Sequence, residues 1–115
     1  LRRQRQMCIR DRTKIRQALF NLLRNAQESI QHTHGKILFS ASAVPDGVQI
    51  TISDNGCGMT EDQIENAFRP FVTYKPGGTG LGLAVTRQII EAHQGTLCVE
   101  STPKEGTSFY IFLPG

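Results

Sequence analysis

Three clusters of residues in this chain have types and spacings suited to chemistry. The first is "DNGCGM", residues 54–59, where an acid ends a β-patterned run and two spaced glycines, Gly56 and Gly58, follow. Counting in twos along "VQITISD" sets Val48, Ile50 and Ile52 on the core face, and Asp54 with them if the strand reaches it. A carboxylate aimed inward is costly unless donors meet it. A base amino group is one such donor, and bare glycine backbone lets a flat ring lie close. The competing reading is a plain turn, since "SDNG" is rich in turn formers and would leave Asp54 in water. The segment alone leaves the two even.

The second cluster is "GGTGLGL", residues 77–83, which opens a helical pattern. Bare N–H groups at a helix N-terminus seat a phosphate, and the macrodipole favours the anion. The segment is neither a Walker A sequence nor a dinucleotide fingerprint after a strand. A glycine-rich linker is its plain alternative. The third cluster is Asn21 and Asn25, four apart on one helix face, with Gln17 a turn before and Glu28 nearby. Asparagine costs a helix roughly half a kcal/mol relative to alanine. A solvated polar face would explain two isolated asparagines, but an amide oxygen is also a hard ligand for Mg²⁺ carried in on nucleotide phosphates.

The elements that must position these residues are legible from periodicity. "TKIRQALFNLLRNAQESIQHTHG" reads as an amphipathic helix with Ile15, Leu19, Leu22, Leu23, Ala26 and Ile30 in one stripe, Thr13 at its start and Gly35 past its end. "KILFSASAV" alternates, with Ile37, Phe39, Ala41 and Ala43 on one face, and "PDG" supplies a hairpin turn into "VQITISD". After a long glycine-containing segment, "GLGLAVTRQIIEAHQG" gives a second helix. Its predicted buried stripe is Leu81, Ala84, Val85, Ile89 and Ala92, and Gly95 is its stop. "TLCVES" and "TSFYIFLP" read as closing strands joined by a "PKEG" turn. The order predicts an α+β fold, a two-layer sandwich of a mixed sheet with helices on one face.

Composition narrows the function classes. With 115 residues and 38% apolar content, the chain suits one domain with a real core, and no apolar run approaches a membrane span. The net charge of +3 is concentrated in a tail, because Arg2, Arg3, Arg5, Arg10 and Arg12 face only Asp11 there. The remainder carries a net charge of −1, which argues against a nucleic-acid partner. "QMCIRDR", residues 6–12, resembles translated adaptor sequence, so residues 1–12 are expected to be a non-native or disordered tail before a domain at 13–115. Cys8, Cys57 and Cys98 are odd in number and lack C-x-x-C spacing, which suits reduced structural thiols. His32, His34 and His93 sit near helix ends and read as partly exposed.

Together the clusters resemble the catalytic and ATP-binding domain of sensor histidine kinases. "NLLRNAQES", "DNGCGM", "FRPFVTYK" and "GGTGLGL" stand in the order and spacing of that family's N box, first glycine box, F box and second glycine box. The resemblance covers residues 13–114, and "PFVTYKPGGTGLGLAVTRQIIEAHQG" is similar to the nitrogen-regulation type. It implies the Bergerat ATP-binding fold of gyrase, Hsp90 and MutL, with a mobile ATP lid. By the same resemblance Asn25 holds Mg²⁺ and Asn21 contacts the phosphates. Asp54 accepts from the adenine amino group, and Gly56 and Gly58 shape that pocket. Thr73 and Lys75 sit on the lid, with Lys75 reaching the terminal phosphate and joining Asn21 and Asn25 as catalytic residues. Gly78, Gly80 and Gly82 hinge the lid, Leu81 and Leu83 belong to the same nucleotide-binding box, and Thr107 lies near the adenine. Phe68 and Phe71 pin the lid base, though two aromatics this close also suit plain core.

The implied activity is a protein histidine kinase that binds Mg-ATP and hands the γ-phosphoryl group to a histidine. None of the three histidines stands in a His-Glu-x-x-x-Pro setting, so the acceptor is expected on a separate dimerisation domain of the parent protein. A response-regulator receiver domain is the expected second partner. The expected setting is the cytoplasm, with a monomeric domain touching neither nucleic acid nor membrane, within a parent protein that could itself be membrane-anchored. Two alternatives stand beside it, an ATPase switch module of the gyrase, Hsp90 or MutL kind and a degenerate nucleotide-binding domain. The intact glycine boxes and Lys75 count against the second.

Overall fold

The structure is a computed structural model that describes residues 2–68 and 82–115, with side chains for 13–68 and 83–115. Helix α1 spans Arg2–Ser29. Thr13 therefore lies inside the helix and does not cap it. No glycine or proline precedes Thr13, and arginine, glutamine and methionine are good helix formers, so nothing local stops the helix there. The predicted apolar stripe is observed: Leu22 and Ala26 are fully buried, Leu19 and Leu23 pack beside them, and Ala18 joins the core.

Strand β1 (Ile37–Val44) and strand β2 (Gly47–Asp54) form the first hairpin around Pro45 and Asp46, with Val44 opposite Gly47. A short helix, α2 (Glu61–Asn66), follows, then α3 (Gly82–Ala92), β3 (Thr96–Thr102) and β4 (Gly106–Pro114). The strand order is β1-β2-β4-β3. Every described pairing is antiparallel, so the sheet is not mixed as the sequence predicts. The crossover from β2 through α3 does make β3 run parallel to β2, but β4 inserts between them and pairs antiparallel with both.

One face of the sheet carries the core. Ile50 and Ile52 from β2, Phe109 and Ile111 from β4, Leu22 and Ala26 from α1 and Ile90 from α3 form one buried cluster. Helices α1 and α3 lie over β2, β4 and β3. The β1 edge is left outside, which explains two departures from expectation. Ile37 and Phe39 face the core side in register with Asp54 and Ile52, yet both are exposed, and so is Val48 at the start of β2. On α3, Ala84 and Ile89 are buried as expected, but Ala92 is exposed and Thr86 and Ile90 are the most deeply buried positions. The helix is wedged between α1 and β3, so its buried stripe turns toward both neighbours. Leu81 lies outside the described residues.

Candidate nucleotide-binding site

The chain order separates Asp54 from Thr107, but sheet register sets them opposite one another at the end of β2 and β4. The same row continues to Ser101 on β3, directly across from Thr107. Asp54 is 9% exposed and Thr107 3%, so a carboxylate and a hydroxyl share the polar end of an otherwise apolar face. The period-two count of the sequence therefore holds as far as Asp54, and the solvated-turn alternative fails. One Asp54 oxygen accepts from the Gly56 N–H at 2.8 Å.

This strand end is tied to the end of α1. The Cys57 N–H donates to the Ser29 carbonyl at 3.0 Å, satisfying one of the helix's terminal acceptors. The buried Ser29 hydroxyl donates in turn to the Asn25 carbonyl at 2.8 Å. A single chain of bonds thus links the helix of Asn21 and Asn25 to the loop of Asp54. Both asparagines are half-buried, unlike the exposed Gln17 and Glu28 on the same helix.

Gly56 and Gly58 are required by protein packing. A Cβ on Gly56 would meet the Ser29 carbonyl oxygen at 2.6 Å. Gly58 has φ +68°, and a Cβ there would run into the Thr102 carbonyl. The β3–β4 turn closes on the same loop, with the Lys104 N–H donating to the Cys57 carbonyl at 2.6 Å. Asn55 latches the connection after α1: its side chain accepts from the Lys36 N–H at 2.7 Å and donates to the His34 carbonyl at 2.9 Å.

Of the other expected site residues, Gly82 is the first residue of α3 and Leu83 packs half-buried against the core. Thr73, Lys75, Gly78, Gly80 and Phe71 lie outside the described residues. Phe68 packs against the core, and the Arg87 guanidinium stacks over its ring at 5.3 Å, the plain packing role that competes with lid pinning. The histidines serve local structure. His32 Nε2 donates to the Asn55 carbonyl at 2.8 Å, and His93 Nδ1 donates to the Ile89 carbonyl at 2.8 Å. His93 is half-buried, whereas His32 and His34 are exposed. Cys57 and Cys98 are exposed free thiols and take no part in the core.

Sequence reasoning missed Ser29, Ser101 and helix α2. Alternation through Leu97 and Val99 carries Ser101 inward, a signal available in the sequence. The signal for α2 was also present, because "TEDQ" is a capping box. The Thr60 hydroxyl accepts from the Gln63 N–H at 3.2 Å, and the Gln63 side chain accepts from the Thr60 N–H at 2.9 Å. For Ser29 there was no such signal, since its role depends on where the 55–58 loop lands.

Residues 10–115 match the family model of the histidine kinase-, DNA gyrase B- and HSP90-like ATPases. The chain belongs to this family. Among relatives of this ATPase domain, sporulation kinase B of Bacillus subtilis (strain 168) is 43% identical over 104 residues, covering 90% of this chain and 24% of that protein. The chain thus spans about a quarter of the length of the curated relatives it matches. The solved catalytic domain of histidine kinase ThkA, in a nucleotide-free form, is 37% identical with a TM-score of 0.78, over 90% of this chain and 68% of that one. Full-length ShkA, solved with AMPPNP, is 31% identical with a TM-score of 0.73, over 87% of this chain and 22% of that one. The α+β architecture with a four-stranded antiparallel sheet is that of the histidine kinase catalytic domains within the family.

Proposed function

We propose that residues 13–115 are the catalytic and ATP-binding domain of a sensor histidine kinase, of the nitrogen-regulation-like type, and that residues 1–12 are a non-native tail. The carrying observation is the buried Asp54 carboxylate, cross-strand from Thr107 and bonded through its loop to the helix of Asn25. An acceptor held in an apolar surround suits a base amino group, and AMPPNP bound to the relative ShkA is an ATP analogue.

The residues present fit ATP and Mg²⁺. Asp54 offers an acceptor, α3 begins at Gly82 directly after the glycine-rich stretch, and Asn25 offers a hard oxygen to a metal. Bound Mg²⁺ would offset charge on the β- and γ-phosphates. Asp54 holds the base, Asn21 and the start of α3 hold phosphate oxygens, and Lys75 with Thr73 steadies the terminal phosphate. In the transfer, the bond from the γ-phosphorus to the bridging oxygen breaks and ADP leaves with that electron pair. A nitrogen–phosphorus bond forms at an imidazole of the dimerisation domain, whose proton passes to a base on that domain. A receiver domain then takes the phosphoryl group. No helix among the described residues is long and apolar enough to cross a membrane. A domain that draws on ATP and serves a receiver domain would work in the cytoplasm.

Calorimetry with ADP and GDP tests this reading. The wild type should prefer ADP, and Asp54→Asn should weaken ADP by about 1.5–3 kcal/mol, or ten- to a hundredfold. Equal binding of ADP and GDP, or an unaltered Asp54→Asn variant, would remove Asp54 from the site.

A further inference from the structure

Ser101 stands near the C-terminal end of β3, outside every motif of the sequence, yet its hydroxyl makes three contacts beside Asp54. The Met59 N–H donates to Ser101 Oγ at 2.8 Å. Ser101 Oγ donates to the Gly106 carbonyl at 3.0 Å, and lies 2.8 Å from Thr107 Oγ1. A serine hydroxyl has one hydrogen and two acceptor lone pairs. The Gly106 carbonyl can only accept and the Met59 N–H can only donate. All three contacts are satisfied together only when Ser101 gives its hydrogen to Gly106 and Thr107 donates to Ser101. Thr107 consequently turns lone pairs, not a hydrogen, toward the remaining directions around its oxygen, and Asp54 lies opposite it in the register.

We infer that Ser101 is a positioning residue that fixes the Thr107 hydroxyl as an acceptor and so sets which purine edge the site accepts. The inference rests on the nucleotide reading above. An amino group facing two acceptors has a hydrogen for each. A 6-oxo group there meets lone pairs with none. Removing the Ser101 hydroxyl frees the Thr107 hydrogen to turn into the site and meet an oxo group. Ser101 thereby links selectivity to the first glycine box, because the same oxygen anchors Met59.

The test is binding of ADP and inosine diphosphate to the 115-residue chain and its variants, together with proton NMR of the nucleotide-free protein. The wild type should prefer ADP, and Ser101→Ala should narrow that preference about five- to tenfold. Ser101→Thr, which keeps the hydroxyl, should restore it. Ser101→Ala should add nothing to Thr107→Val, since Ser101 acts through Thr107. Without nucleotide, a slowly exchanging Thr107 hydroxyl proton should be visible and should vanish in Ser101→Ala, while the Met59 amide exchanges faster. An equal loss of both nucleotides in Ser101→Ala, with the ratio unchanged, would reduce Ser101 to a structural role and overturn the inference. So would a Thr107 hydroxyl proton that is unaffected by Ser101→Ala. Failure of the wild type to bind either nucleotide would instead overturn the proposed function, and the hydroxyl proton would still decide the hydrogen-bond claim.

Discussion

Asp54 shows how much of a site a single residue can reveal. Alternation from Ile50 and Ile52 points it inward only if the strand reaches it, with a solvated turn as an even competitor, and pairing with Thr107 at the strand end decides for burial. The glycines beside it were legible as positions that need bare backbone, and packing adds a reason the sequence does not show. Ser29 and Thr102, far away in sequence, press their backbone against the loop. Contacts of that range leave no local trace in a sequence. Gly58→Ala should accordingly destabilise the domain by about 2–4 kcal/mol, from a left-handed backbone joined to a collision with the Thr102 carbonyl. Urea unfolding of the nucleotide-free protein measures it, and a midpoint within error of the wild type would contradict the packing role. A loss of nucleotide affinity without loss of stability would assign the glycine to the ligand.

Among the elements, α1, α3 and both hairpins were readable because period and turn chemistry agree within each segment. Helix ends were less so. Gly95 reads as the stop of α3, but the residue in left-handed conformation is Gln94, at φ 62°. The Gln94 N–H bonds to the Glu91 carbonyl and the Gly95 N–H to the Ile90 carbonyl, both at 2.9 Å, which is a Schellman closure with the glycine one place late. Gly95 is held there because a Cβ would crowd the Phe112 carbonyl. Gln94→Gly should therefore stabilise the fold by roughly 1 kcal/mol, read as a rise in thermal midpoint, and no rise would show that the strain is relieved elsewhere. The segment 59–80 is the other element-scale case. Its described helix, α2, is six residues long with no buried residue, so its local stability is expected to be low. Hydrogen exchange across 59–80 should be fast in the free protein and slow with a Mg²⁺–ATP analogue. High protection before nucleotide is added would rule out a lid closed by phosphates.

For the molecule as a whole, the decisive feature is what the first helix lacks near Asn25, the position proposed for the metal. Hydrolysis needs a positioned base to activate water, and four residues before Asn25 stands Asn21, with Gln17 four before that. Neither amide can take a proton. Glu28 lies past Asn25, toward the end of α1 where Ser29 meets the first glycine box. Asp11 also falls within the observed helix, but fourteen residues before Asn25 it is about 21 Å away along the axis. Missing general-base catalysis alone lowers the rate by about 10²–10⁴-fold. The domain should therefore hold ATP without hydrolysing it until an imidazole with its own base is presented. His32 and His93 each donate to a backbone carbonyl, His32 also accepts from the His34 N–H at 3.1 Å, and the His34 ring lies 3.2 Å from the Thr33 hydroxyl, so all three rings are engaged in local bonds. Incubation with γ-labelled ATP should give negligible turnover and no label on this chain. Adding a histidine-bearing helical dimerisation domain from a cognate kinase should produce acid-labile label on that partner. Acid-labile label on His32, His34 or His93, or turnover at several per second on the order of ordinary enzymes, would overturn the kinase reading in favour of a self-contained ATPase.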